Sequence, residues 1–313
     1  MGNKQATREA YGKTLAGLAN VNPNIVVLDA DLSKSTKTAE FKAVAPERFI
    51  NMGIAEANMM GVAAGLATCG KIPFVSSFAM FAAGRAFKQI RNSICYPRLN
   101  VKICATHAGL TVGEDGATHQ ANEDISLMRS IPNMVVINPS DAVETEAAIK
   151  AVAEYEGPCY VRLGRMAVET INDKENYKFE IGKGITLSEG NDITIIATGI
   201  MVEAAMKAKE MLKDLKINAR VINIHTIKPI DKDLVIKAAK ETGVIITAEE
   251  HSVIGGLGSA VSEVVSENCP AYVYKIGIND TFGESGKPSE LLEAYGLTAE
   301  AIVEKAKKLV SEK

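Results

Sequence analysis

The 313-residue chain predicts an α/β protein: a doubly wound, largely parallel sheet followed by a smaller α/β domain. Three observations carry this. Apolar runs of strand length at 25–28, 72–76, 101–105, 134–137 and 159–163 alternate with stretches whose apolar residues recur at helical spacing. Strand–helix units of similar length indicate a doubly wound sheet rather than a barrel. After a polar, punctuated interval the same rhythm resumes at 193–197, 219–224, 244–247 and 271–276. The division expected is a first domain over 1–168, a linker over 169–190 and a second domain over 191–313.

Residues 5–19 read as an amphipathic helix. Arg8 falls in its first turn, where the helix dipole does not favour a cation. It is either a solvated arginine or one aimed at an anion. The strand at 25–28 runs into Asp29-Ala30-Asp31-Leu32-Ser33-Lys34-Ser35, a polar loop that either caps the next turn or touches a ligand. Residues 54–67 form a helix of mostly small, apolar side chains, as at a helix–helix or subunit contact. Glu56 stands near its start. In water it would be an ordinary first-turn glutamate; against an apolar helix it would be a charge suited to chemistry.

A helix is expected over 77–87, with Phe78 and Phe81 one turn apart on one face. Such rings serve a core or a planar heterocycle equally well. The stretch Val101-Lys102-Ile103-Cys104-Ala105 then opens into Thr106-His107 and a turn with glycines at 109, 113 and 116, Glu114 and Asp115, closing on Thr118-His119-Gln120. Two of the four histidines thus end one loop at the C-terminal edge of a strand, where α/β sheets bind ligands. Imidazole is the side chain best poised for proton traffic near neutrality. Helices over 120–129 and 141–155 follow, and Arg165 closes the last strand of this half. In the second half His225 and His251 read as structural, His251 as a junction after Glu249-Glu250. The Gly255-Gly256-Leu257-Gly258 run lacks the full dinucleotide pattern and reads as close helix packing. A terminal helix pair begins near Leu291.

Hydrophobic content of 47% with 23% charged residues is that of a globular protein, and a net charge of -3 with no basic block argues against nucleic acid. No apolar run reaches membrane-spanning length. The start has no apolar signal segment, and Met1-Gly2-Asn3 lacks the Ser or Thr at position 6 that lipidation wants. The five cysteines are scattered without a CxxC pair, so a cytoplasmic protein with reduced thiols is expected. No HxxxH, HExxH, GxSxG or P-loop pattern occurs, so no metal site is assigned to this chain. The set Glu56, His107, Asp115 and His119 has no obvious nucleophile, and a bound cofactor would have to supply one.

Taken together, Gly53-Ile54-Ala55-Glu56, the loop from Ala105 to Gln120 and Asp29-Ala30-Asp31-Leu32 resemble the C-terminal subunit of a split transketolase. This unit of thiamine-diphosphate enzymes comprises a pyrimidine-binding and a C-terminal domain, and the resemblance covers nearly the whole chain. It implies that Glu56 hydrogen-bonds N1′ of the cofactor's aminopyrimidine, that Phe81 stacks on this ring beside Phe78, and that Asp31 lies near the thiamine. It implies further that His107, Asp115 and His119 meet the sugar hydroxyls and assist proton transfers. Arg8, Ser35 and Arg165 would hold the sugar phosphate. A separate N-terminal subunit would bind the diphosphate and Mg²⁺ (or Ca²⁺), giving an α₂β₂ heterotetramer. The Gly-Asp-Gly…Asn motif for that metal is absent here, and Gly113-Glu114-Asp115-Gly116 is not assigned to it. Departures are Ala55 and Ala57, where arginine and histidine usually flank the glutamate, and Gly84 in place of a third aromatic. These leave a 1-deoxyxylulose-5-phosphate synthase-like activity, the β-subunit role in a 2-oxoacid dehydrogenase, or a non-catalytic structural subunit as alternatives to transketolase.

Overall fold

A computed structural model describes residues 4–312; Met1-Gly2-Asn3 lies outside the described residues. The five apolar runs of the first half become the strands Ile25–Asp29, Ile72–Ser76, Lys102–Ala105, Val135–Ile137 and Cys159–Arg162, joined by a short strand Phe49–Asn51. Across the sheet they run 49–51, 25–29, 72–76, 102–105, 159–162, 135–137, all parallel. Side chains alternate between two cores. Ile25 and Val27 pack with Tyr11 and Leu15 of the helix Thr7–Ala19 and with Ile149 and Val152 of the helix Ala142–Glu154. Val26 and Leu28 pack on the other face with Met59, Met60 and Ala63 of the helix Glu56–Thr68. Both faces are covered, which is why these strands read as unbroken apolar runs.

The second sheet runs 272–278, 244–252, 193–197, 219–223, four parallel strands, with Ile185–Ser188 antiparallel at the edge. The helices Met201–Asp214 and Ala299–Ser311 cover one face, and Lys232–Thr242 and Leu257–Asn268 the other. The terminal pair is Pro288–Ala294 and Ala299–Ser311.

Three features differ from the sequence-based expectation. Ile185–Ser188 lies inside the stretch expected as linker; it is short and mixed, Ile-Thr-Leu-Ser, and gains its identity only from pairing. Thr226–Lys228 crosses over and adds antiparallel to Val135–Ile137, so the second half supplies an edge strand to the first sheet. The helix expected over 77–87 is instead wound as π turns at Met80–Arg85 and Ile90–Cys95 around Phe87–Gln89. Its small residues carry no periodic signal that would betray the wider winding. The start of the linker is pinned: the Asp141 carboxylate accepts Glu144 N–H as a helix cap, and its other oxygen accepts Ile171 and Asn172 N–H at 2.8 Å each.

Candidate active site

The strand order places a topological switch between 25–29 and 72–76, since the chain turns to opposite sides after these two strands. Loops leaving such strands diverge and open a crevice at the carboxyl edge. Asp31 and Ser35 follow the first of them, Phe78 and Phe81 the second, His107 the next strand, and Arg165 the strand beyond. The sheet therefore gathers residues from five separate stretches, Arg8 included.

The first group is cationic. Arg8 Nη1 donates to the Ser35 carbonyl at 2.9 Å and lies 3.2 Å from His107 Nε2. Ser35 is held by the loop before it, where the buried Asp29 carboxylate accepts Leu32 N–H and the Thr36 and Thr38 hydroxyls. Since guanidinium only donates, His107 Nε2 is the acceptor, and Nδ1–H then donates to Thr106 Oγ1 at 2.9 Å. Burial, with Arg8, Arg165 and His119 nearby, pushes the His107 pKa down to about 3. The ring is neutral at physiological pH. Arg165 donates to the Val112 carbonyl and reaches Glu114 at 3.2 Å, which ties it to the glycine-rich loop. Arg8 Nε is buried without a partner.

The second group is aromatic and carboxylate. Phe78 bridges in parallel to Thr106, just past the strand ends, and this seats its ring on His107 at 3.9 Å between centroids. Phe78 and Phe81 stack at 5.7 Å, and His119 meets Phe81 edge-on at 5.3 Å. The two histidines that end the loop thus contact the same ring pair. Glu56, only 2% exposed at the first position of its helix, has one cation near it: Arg85 Nε, 3.7 Å from Oε2, on the π turn that carries Phe81. Oε2 has no hydrogen-bond partner. The alternative of a solvated first-turn glutamate is excluded.

Asp31 is exposed and accepts Asn51 Nδ2–H at 2.9 Å, and no described contact joins it to either group. Asp115 is exposed at the tip of the loop. A groove of about 440 Å³ adjoins the loop at Thr118 and Gln120, with Met80, Asn122, Ser252 and Phe282 among its walls. Among the described residues no group of three or more His, Cys, Asp or Glu side chains is arranged to hold a metal ion, and no helix is long and apolar enough to cross a membrane.

His251 is the junction its position suggested: Nδ1–H donates to the Ser252 carbonyl and Nε2 accepts Ser126 N–H from the first domain. Burial holds its pKa down at about 4. The Gly255-Gly256 run is close packing, since a Cβ at Gly256 would overlap the Glu249 carboxylate, which caps the helix Leu257–Asn268 through Leu257 and Gly258 N–H. His225 is buried and stacks on Phe179 at 4.2 Å. Sequence reasoning missed Arg85, the buried pair Asp124–Arg162 at 3.0 Å and Glu250. A charge at the end of an otherwise apolar strand, as at Arg162, was the available signal.

Family models match the chain in two blocks: the transketolase pyrimidine-binding domain over residues 3–170 and the transketolase C-terminal domain over 182–302. The "Putative transketolase C-terminal section" of Methanocaldococcus jannaschii is 55% identical over 97% of this chain and 95% of its own length. A 6-deoxy-6-sulfo-D-fructose transketolase subunit from a Clostridium species is 45% identical over 98% and 95%. A solved structure described as a split gene transketolase, inactive β4 tetramer, is 57% identical, covers 99% of both chains and superposes with a TM-score of 0.90. The same chain spans about 50% of the length of the rat and human transketolases. With an α/β fold, both domains in order and subunit-length relatives, the chain belongs to the transketolase family as a subunit of the split type.

Proposed function

We propose that this subunit transfers a two-carbon ketol unit from a ketose phosphate, such as xylulose 5-phosphate, to an aldose phosphate, such as ribose 5-phosphate. It would do so with thiamine diphosphate held between this chain and an N-terminal subunit that carries the diphosphate and Mg²⁺ motif, in a cytoplasmic α₂β₂ assembly. The observation that carries the reading is the juxtaposition of a cationic cradle (Arg8, Arg165, the neutral His107) with a ring pair and a buried carboxylate. A phosphorylated sugar needs the first and an aminopyrimidine the second.

The residues present fit the cofactor. Glu56 Oε2 is a buried acceptor with an open valence, suited to a protonated ring nitrogen, and Phe81, on the π turn whose Arg85 reaches Glu56, is an aromatic ring suited to stacking. Thiamine diphosphate, when bound, supplies the nucleophilic carbon and the electron sink that C–C cleavage needs. Glu56 would hold N1′ of the bound cofactor through a hydrogen bond, its carboxylate favouring a proton at that atom. Arg8 and Arg165 clamp the substrate phosphate, where guanidinium forks match the anion. His107, kept neutral by its surroundings, serves as a hydrogen-bond partner for a substrate hydroxyl rather than as an acid. His119 and Asp115, on the same loop, would accept or return hydroxyl protons as the carbon chain is cut and rejoined.

The test mixes the purified chain with its N-terminal subunit, thiamine diphosphate and Mg²⁺. Xylulose 5-phosphate plus ribose 5-phosphate is assayed against pyruvate and against a 6-sulfo ketose. Ketol transfer between the phosphorylated sugars is expected. Turnover of pyruvate without ketol transfer would refute the proposal.

A further inference from the structure

The second domain touches the catalytic loop at every glycine in it. At Gly109, φ +79°, a Cβ would overlap the Glu250 carboxylate. At Gly113 it would come within 3.2 Å of the Pro288 ring, and at Gly116 within 2.5 Å of Ser285 Oγ. Between these contacts Glu250 Oε1 accepts Thr111 N–H at 2.6 Å, and the buried Gln120 amide donates to the Glu284 carbonyl at 2.9 Å. Glu250 is itself fixed: its carbonyl accepts Arg162 Nη2 at 2.9 Å, and Arg162 is locked by the Asp124 carboxylate, which Tyr160 OH also reaches at 2.7 Å. Burial pushes the Glu250 carboxyl up to about 7.

We infer that Glu250, although it lies in the second domain, is a positioning residue for the catalytic loop, holding the Leu110–Val112 turn through the Thr111 amide and so setting where Asp115 and His119 stand. Asp115 makes no described side-chain hydrogen bond; His119 makes one to neighbouring Thr118, beside its edge contacts with Phe78 and Phe81. The placement of Asp115 is therefore inherited from the backbone between Gly109 and Gly116, and the same backbone delivers His119 to the two rings. The glycines are the counterpart of this: they leave room for second-domain atoms to reach that backbone. The activity part of the inference rests on the ketol-transfer reading above; the structural part does not.

The experiment compares Glu250→Ala, Glu250→Gln and wild type in two measurements. Hydrogen exchange of the peptide spanning 109–120 is followed in the free chain, and kcat and KM for both sugars are measured after reconstitution with the N-terminal subunit. Alanine leaves the Thr111 amide without its acceptor, so loop exchange should quicken tenfold or more and kcat should fall at least tenfold, with KM for thiamine diphosphate moving less than threefold. Glutamine retains a carbonyl acceptor and should bring both readouts back to within about threefold of wild type. If the alanine chain does not fold, Glu250→Asp withdraws the acceptor by one methylene and is read the same way. Unchanged loop exchange in the alanine or aspartate chain overturns the inference, as does a glutamine chain that matches alanine. If wild type shows no ketol transfer, the exchange comparison still decides the structural claim.

Discussion

Replacing Glu56 with glutamine separates what this carboxylate does for the fold from what it does for the reaction. On the stability side the structure offers little to lose. Its one ion pair is to Arg85, whose side chain is 66% exposed, and Oε2 makes no hydrogen bond. Exposed pairs are worth about 0–1 kcal/mol, and a charge at a helix N-terminus about 0.3–1 kcal/mol. Against these stands the desolvation of a carboxylate 2% exposed, which the neutral amide avoids. Glu56→Gln should therefore leave the melting temperature unchanged or raise it, at about 2–4 °C per kcal/mol. The activity side is different. An amide could not supply the negative charge that the proposed contact to a cofactor ring nitrogen calls for. Proton transfer by a placed side chain is worth about 10²–10⁴-fold, or about 2.7–5.4 kcal/mol. The assay is thermal unfolding of the isolated chain beside kcat of the reconstituted enzyme. A Glu56→Gln chain that melts normally and turns over within threefold of wild type would remove Glu56 from the chemistry.

Arg165→Ala should raise KM for phosphorylated sugars by roughly 10- to 100-fold, the equivalent of about 1.5–3 kcal/mol for a charge-assisted bond, and kcat should fall as well because the Val112 carbonyl loses its donor. KM for an unphosphorylated ketose in the same assay should be affected far less. Asp124→Asn leaves Arg162 buried without its counter-charge and should destabilise the chain by about 3–5 kcal/mol, read as the shift of a urea midpoint. The Glu250 carboxyl, raised by burial to about 7 from an ordinary 4.5, binds a proton in the folded chain that the unfolded chain has released. Its contribution is thus fully present below 4.5 and is lost as pH rises through 7. Glu250→Gln should accordingly gain melting temperature relative to wild type between pH 5 and 8; a constant difference would contradict the raised value.

Much of this site could be read in the chain because its pieces are local. The loop 105–120, Glu56 and the two phenylalanines each sit next to a strand or helix start whose apolar pattern is unambiguous, and a parallel sheet aligns such strand ends by itself. Contacts that come from pairing or winding were not legible. Ile185–Ser188 and Thr226–Lys228 are three or four residues long and become strands only because an open edge accepts them. The π turns that bring Arg85 to Glu56 depend on one extra residue per turn among alanines and glycine, which no hydrophobic period records. Glu250 was in view only as part of a charged run; its partner Thr111 lies 139 residues away, across a domain boundary. The glycines at 109, 113 and 116 let the loop turn, and they also leave room for the second-domain atoms that meet its backbone.

Two side chains of the site carry buried polar atoms without partners, Arg8 Nε and Glu56 Oε2, and Ser77 Oγ, just past the strand Ile72–Ser76, is a third. Each such atom costs about 1–3 kcal/mol, and folded proteins keep few of them. Open valences on Arg8 and Glu56 fit a cleft that a ligand completes, and this can be measured on the isolated chain. If Arg8 and Arg165 form an anion cradle, inorganic phosphate should stabilise the isolated chain by RT ln(1 + [L]/Kd), about 1.4 kcal/mol at ten times Kd, or roughly 2–5 °C in melting temperature. Phosphate also stabilises proteins generally through exclusion from their surfaces. The comparison is therefore between wild type and a chain carrying Arg8→Gln and Arg165→Gln, each in phosphate and in chloride at equal ionic strength. Exclusion acts on both chains alike, so the wild-type excess isolates the cradle. Equal shifts in the two would mean that these arginines hold only the Ser35 and Val112 carbonyls they already touch.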